Sequence, residues 1–165
     1  MRVFLGGALG FGVGRVAEVL AQRLRRAGDV QGPIVALEEG LARALSRLGL
    51  DVVAVLPAPR RRRGRGPTVV AALAHELPFD DGSVAALVAV AVPPATLASA
   101  LAEGARVVRA GGVVALASSG AGLVRQPPPP EVYGGAFLHA ALVDIEQQLV
   151  GRSLLTYAAV PDLPR

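Results

Sequence analysis

The run from 84 to 92 is apolar at every position. Successive side chains of a strand point to opposite faces of a sheet, so a strand of this kind must be covered on both sides. It is bounded by Asp80-Asp81-Gly82-Ser83 before it and Pro93-Pro94 after it, both turn-forming sets. Shorter apolar runs at 34–37, 51–56, 68–72 and 113–117 read as companion strands. Helical patterns lie around and between them. Val16, Val19, Leu20 and Leu24 mark a helix over 14–26 with arginines opposite the apolar stripe. Leu41, Ala44, Leu45 and Leu48 mark a second, stopped by Gly49, and Leu97, Leu101, Gly104 and Val108 a third. Alternating strands and helices predict an α/β domain with a mainly parallel sheet flanked by helices.

Pro127 to Pro130 read as loop, because proline cannot continue a helix or sit in a central strand. Leu138, Ala141, Leu142, Ile145 and Leu149 then predict a last amphipathic helix, and 153–160 a last strand. The whole chain, 1–165, reads as one domain, since its length supports one core and not two ordinary ones. Its expected parts are a helical lead-in (1–32), a core (33–119), a Pro-rich loop (120–135), and a last helix and strand (136–165).

Composition narrows the chemistry. There is no cysteine, which excludes disulfides, thiolate zinc sites and thiol nucleophiles. Two histidines far apart, His75 and His139, argue against a histidine-rich metal site. Hydrophobic residues make up 52% and charged residues 18%, an apolar balance that suits a surface in need of a partner. The apolar stretch over 1–14 is too short to span a bilayer, and no small-residue cleavage site follows it. The expectation is a cytoplasmic protein without a membrane segment. The net charge is +4, every cation being arginine, with a cluster at Arg60, Arg61, Arg62, Arg63 and Arg65. Such a run can bind phosphates of nucleic acid or simply form a solvated loop. No aromatics interleave with it, so a stacking surface for single strands has little support.

Two longer motifs carry a family resemblance. Glu76-Leu77-Pro78-Phe79-Asp80-Asp81-Gly82-Ser83-Val84 resembles the E-x-LPF-x-DGSFD-like segment between the third and fourth strands of class I S-adenosylmethionine methyltransferases. Ala105-Arg106-Val107-Val108-Arg109-Ala110-Gly111-Gly112-Val113-Val114 resembles that family's A-R-V-L-(R/K)-P-G-G passage from helix to strand. The motifs occur in the family's order, with a strand and a helix between them. The resemblance covers 32–119 and implies a Rossmann-like methyltransferase fold. Family members usually finish with two further strands, and only 153–160 is found here, so a shortened carboxy-terminal sheet edge is expected. Such an edge invites pairing with another chain.

The same alignment locates the cofactor positions, and there the sequence departs from the family. The first strand should run into V-L-D-x-G-x-G. Here Ile34-Val35-Ala36-Leu37-Glu38-Glu39-Gly40 stands in that place, so the acid falls on Ala36 and the first glycine on Glu38. The second strand should end in an acid for the ribose diol, and it runs into Leu56-Pro57. An Asp-Ala pair near the adenine is replaced by Leu73-Ala74. Glutamates at the first turn add bulk and compete for the positive end of the following helix. Leu56 cannot accept from two hydroxyls, and each unpaired buried group costs about 1–3 kcal/mol. Two such losses weaken binding by roughly 30- to 10⁴-fold. Glu38, Glu39, Gly40, Leu56, Leu73 and Ala74 are therefore expected to be a vestigial cofactor site, with no cofactor bound. A second register remains open. In it 3–5 is the first strand, Gly10-Phe11-Gly12-Val13-Gly14 the glycine loop, and Glu38 or Glu39 the ribose acid.

Other chemistry finds little to use. Asp80 and Asp81 sit in a turn signature, and His75 and His139 read as surface residues. Ser118-Ser119-Gly120 follows a strand, but no acid–histidine pair completes a triad. Val90-Ala91-Val92-Pro93-Pro94, where the family places substrate-facing groups, has no titratable side chain. The expectation is a non-catalytic, methyltransferase-like protein acting through a protein partner or a second copy of itself. The alternative is an active divergent S-adenosylmethionine-dependent methyltransferase acting on a small molecule.

Overall fold

A computed structural model of the protein describes residues 6–26, 32–58, 66–119 and 129–162. Helix α1 (Gly6–Arg26) precedes strand β1 (Ile34–Ala36), helix α2 (Glu39–Arg47) and strands β2 (Val52–Leu56), β3 (Thr68–Ala71) and β4 (Val84–Val90). Helix α3 (Pro94–Val107), strand β5 (Val108–Ser119), helix α4 (Pro130–His139) and strands β6 (Val143–Val150) and β7 (Ser153–Ala159) complete it. The strands form a seven-stranded sheet in the order β3-β2-β1-β4-β5-β7-β6. The first five are parallel, and β7 runs antiparallel to both neighbours.

The fully apolar run becomes β4, buried from Val84 to Ala89. Its alternate residues serve two cores. Ala86 and Val88 join Ile34, Ala36 and Ala54 beneath α1 and α2. Leu87 and Ala89 join Val35, Val114 and Leu116 beneath α3 and α4. On the second face, α3 sits so close to β4 that a Cβ at Gly104 would lie 2.7 Å from Leu87 Cδ2.

Four expectations are corrected. Gly10 to Gly14 are helical, inside α1, and form no glycine loop. The second register falls with them, because Ile34–Ala36 pairs with both β2 and β4 and so holds the first-strand place. The strand that register needs at 3–5 lies outside the described residues, as do Arg60, Arg61, Arg62, Arg63 and Arg65.

The last helix expected through Leu138, Ala141, Leu142, Ile145 and Leu149 does not form. The helix is α4, with Pro130 at its start, where a missing N–H costs nothing. It ends at Ala140, and Ala141 takes a left-handed φ of 57°. The chain then turns into β6, and Gly151-Arg152 closes a hairpin onto β7, with Gly151 at φ 63°. The carboxy-terminal edge is therefore complete and not shortened.

Finally, the Gly111-Gly112 pair lies within β5 and not before it. β4 advances from Val84 to Ala86 while β5 advances from Val108 to Val113, so Arg109 to Gly112 bulge out of the ladder. The bulge is bonded to the end of β7: the Gly111 N–H donates to the Val160 carbonyl, and the Val160 N–H to the Gly112 carbonyl, each at 2.9 Å.

Candidate functional site

In an open parallel sheet, ligands bind outside the carboxyl ends of the strands, where neighbouring connections diverge. Here that rim is formed by Leu37 to Gly40 after β1, Leu56 at the end of β2, Leu73-Ala74 after β3 and Ala91 after β4. All six candidate positions thus fall along one edge, on three neighbouring strands.

Glu38 is the N-cap of α2, with extended backbone at φ −148° and ψ 136°. Its carboxylate turns back onto its own helix. One oxygen accepts from the Gly40 N–H and the other from the Leu41 N–H, each at 2.7 Å. A Cβ on Gly40 would lie 3.0 Å from either oxygen, so the glycine leaves room for this carboxylate. The N–H groups and positive dipole end of α2 are already engaged by a negative side chain. Glu39 points elsewhere and pairs with Arg43 one turn along, at 2.8 Å.

Removal of the cap has a defined consequence. Glu38→Ala is expected to destabilise the protein by about 1–2 kcal/mol, the cost of a lost charged N-cap, as read from chemical denaturation. An unchanged midpoint would mean that the cap contributes nothing.

The remaining rim is apolar and partly open. Leu56 is half-buried, and its carbonyl accepts from the Ala72 N–H at 3.1 Å. Leu73 is 46% exposed and faces Glu76 across a tight turn that carries Ala74 and His75. Ala91 takes a left-handed φ of 54°, held by its N–H donating to the Ala117 carbonyl. His75 is exposed, and His139 Nδ1 lies 2.8 Å from the Gly135 carbonyl on α4, far from the rim in sequence. Among the described residues no cluster of acids and histidines could hold a metal ion, and no helix is long and apolar enough to cross a membrane.

The two motifs that carried the resemblance meet in space. Arg106, from the second, donates to the carbonyls of Leu77 and Phe79 and to Asp81 Oδ1, all in the first. It also forms a two-pronged pair with Glu103, both bonds at 2.8 Å, while Glu103 accepts from the Leu77 N–H at 2.9 Å. The hydrogen bonds from Arg106 hold the Glu103 carboxyl below its usual range, and those from Glu103 and Asp81 push the guanidinium further up. The pair ties the Leu77–Asp81 turn to α3. Sequence reading found both motifs and missed that they are one clamp.

The sheet order with its antiparallel β7, and a rim at the ends of β1 to β4, define the class I methyltransferase fold. The family model described as "Methyltransferase domain" matches residues 8–116, and the chain belongs to that family. No curated protein matches the chain in sequence. Among solved structures, the Haloferax volcanii partner of the Trm112 methyltransferase activator, solved as their complex, is similar. Its TM-score is 0.66 at 16% identity, over 92% of this chain and 96% of that one. Magnesium protoporphyrin IX methyltransferase from Synechocystis, solved with bound S-adenosylmethionine, has a TM-score of 0.68 at 11% identity, over 96% and 85%. Geranyl diphosphate C-methyltransferase from Streptomyces coelicolor has 0.64 at 15% identity, over 88% and 79%.

Proposed function

We propose that this chain is a methyltransferase-fold protein that has given up its cofactor and acts in the cytoplasm by binding another protein. One observation carries the reading. The Glu38 carboxylate sits on the Gly40 and Leu41 N–H groups, where the family's glycine-rich turn leaves the start of this helix open to the ligand. A ligand carboxylate arriving there would meet a like charge and find those donors taken. Leu56, with no acceptor for ribose hydroxyls, and Leu73 in place of an acid support the same reading. The residues present do not fit S-adenosylmethionine.

The sheet edges support a protein partner. The β6 edge carries Asp144 and Glu146 and a bulge, with Asp144 at φ 53°, features that blunt strand pairing. The β3 edge has neither charge nor bulge, and Val69 is 44% exposed. An added strand would find its partner there. The Haloferax volcanii neighbour, solved with an activator protein, is a precedent on this fold.

A second reading, an active divergent methyltransferase acting on a small molecule, draws on the exposure of Gly40 and Leu73, which leaves the rim unsealed. Thermal unfolding separates the two. A ligand with a Kd of about 10 µM, present at about 1 mM, stabilises by about 2.7 kcal/mol. For a domain of this size that raises Tm by roughly 5–10 °C. The reading advanced here expects no shift with S-adenosylmethionine, and a shift of that size would transfer the case to the enzyme.

A further inference from the structure

A cavity of about 300 Å³ lies at the opposite end of the sheet, lined by Arg43, Ser46, Arg47, Gly66 and Pro67. α2 begins at the carboxyl end of β1 and runs back against the strand direction, so Arg47, its last residue, lies near the amino ends. Gly66-Pro67 leads into β3 at that same end. Spacings of three and four residues put Arg43, Ser46 and Arg47 on one face of the helix. Among the described residues the lining holds two guanidinium groups and one hydroxyl, with the Glu39 carboxylate paired to Arg43 beside it.

Among the described residues one of the two arginines has an ion-pair partner and the other has none. Arg43 gives one nitrogen to Glu39 at 2.8 Å, but its Nε is shut off from solvent with no hydrogen-bond partner. Arg47 is exposed, with no ion-pair partner among the described residues. Across from the helix, a Cβ built on Gly66 meets nothing within 4 Å among the described residues. Guanidinium forks match the spacing of tetrahedral oxyanions, and a serine hydroxyl adds a donor.

We propose that this cavity binds the phosphate group of a small phosphorylated ligand, at a site separate from the strand-end rim. The size is at the lower limit for a small-molecule pocket, which suits a phosphate or diphosphate head. Arg60, Arg61, Arg62, Arg63 and Arg65 lie outside the described residues.

Titration of the full chain with inorganic pyrophosphate at low ionic strength, followed by phosphorus NMR, tests it. The expected result is saturable binding that Arg47→Ala weakens by roughly 10- to 100-fold, with Arg47→Lys in between because it keeps the charge and loses the fork. Arg43→Ala with Arg47→Ala should abolish binding. If the double variant folds poorly, Arg47→Glu alone decides, since that side chain is exposed. No saturation by about 10 mM, where the affinity would be negligible, or an unchanged affinity in Arg47→Glu, overturns the site. A single-stranded oligonucleotide that displaces pyrophosphate in an Arg47-dependent way would replace the small ligand with nucleic acid and contradict the ligand proposed.

Discussion

Arg106→Ala should lower stability by about 3 kcal/mol, with the Tm falling by roughly 6–12 °C in a domain of this size. The side chain makes five hydrogen bonds: two to Glu103, one to Asp81 and two to the carbonyls of Leu77 and Phe79. Truncation leaves Glu103, only 17% exposed in its side chain, without its cation. The Arg106 side chain is itself 35% exposed, so water screens part of the loss and keeps it below that of a fully buried pair. Arg106→Lys should recover less than half, because an ammonium cannot reproduce the planar fork.

The clamp also has a pH signature. The Glu103 carboxyl is held below its ordinary value, first by the hydrogen bond from Arg106. A group depressed in the folded state contributes stability that is fully present above the unfolded value, about 4.3, and lost as pH falls through the folded one. Acid should therefore destabilise the native protein more steeply than Arg106→Ala. Parallel acid-denaturation curves for the two proteins would contradict this account of the clamp.

Gly112→Ala should cost about 3 kcal/mol or more, at the upper end for overpacking a well-filled site. A Cβ there would lie 2.5 Å from Val108 Cγ1, 2.6 Å from the Ala85 carbonyl oxygen and 2.9 Å from that of Arg109. Two of these obstacles are backbone, and Ala85 belongs to the central strand β4, so neither can swing aside. The neighbouring glycine provides the control. Gly111 has a φ of 73° and nothing within 4 Å of its would-be Cβ. Gly111→Ala meets only the left-handed backbone penalty, about 1–2 kcal/mol. Denaturant midpoints should fall further for Gly112→Ala than for Gly111→Ala, and the reverse order would refute the close-approach explanation.

These effects explain which sequence signals survive. The Leu77-Pro78-Phe79 turn and the Gly111-Gly112 pair are legible because they hold the fold together, one through the Arg106 clamp and the other through a strand bulge. They fix the alignment that places Glu38, Leu56 and Leu73 on the rim. The central strands are legible for a related reason: burial on both faces leaves an unbroken apolar run such as Val84–Val90. β6 lacks that signal. It is an edge strand, mostly exposed, and its Ile145 and Leu149 fall at helical spacing with Leu142 just before it. The helix stop before it is Ala141 at positive φ, where no glycine marks the break. The Gly151-Arg152 hairpin was the usable cue. Glycines at 6, 7, 10, 12 and 14 argue against helix by about 1 kcal/mol each, yet α1 runs through them and continues into a stripe buried at Val16, Leu20 and Leu24. At the site, competition between a glutamate and the ligand for the helix end was foreseeable. That Glu38 alone takes this place, while Glu39 turns to Arg43, required the geometry.

The central claim is that the fold is kept while the cofactor site is lost. Isothermal titration of the wild-type chain with S-adenosylmethionine, and separately with its demethylated product, tests it most directly. The account predicts no saturable heat with either ligand up to about 1 mM. Saturable binding of either one with a low-micromolar Kd would contradict it.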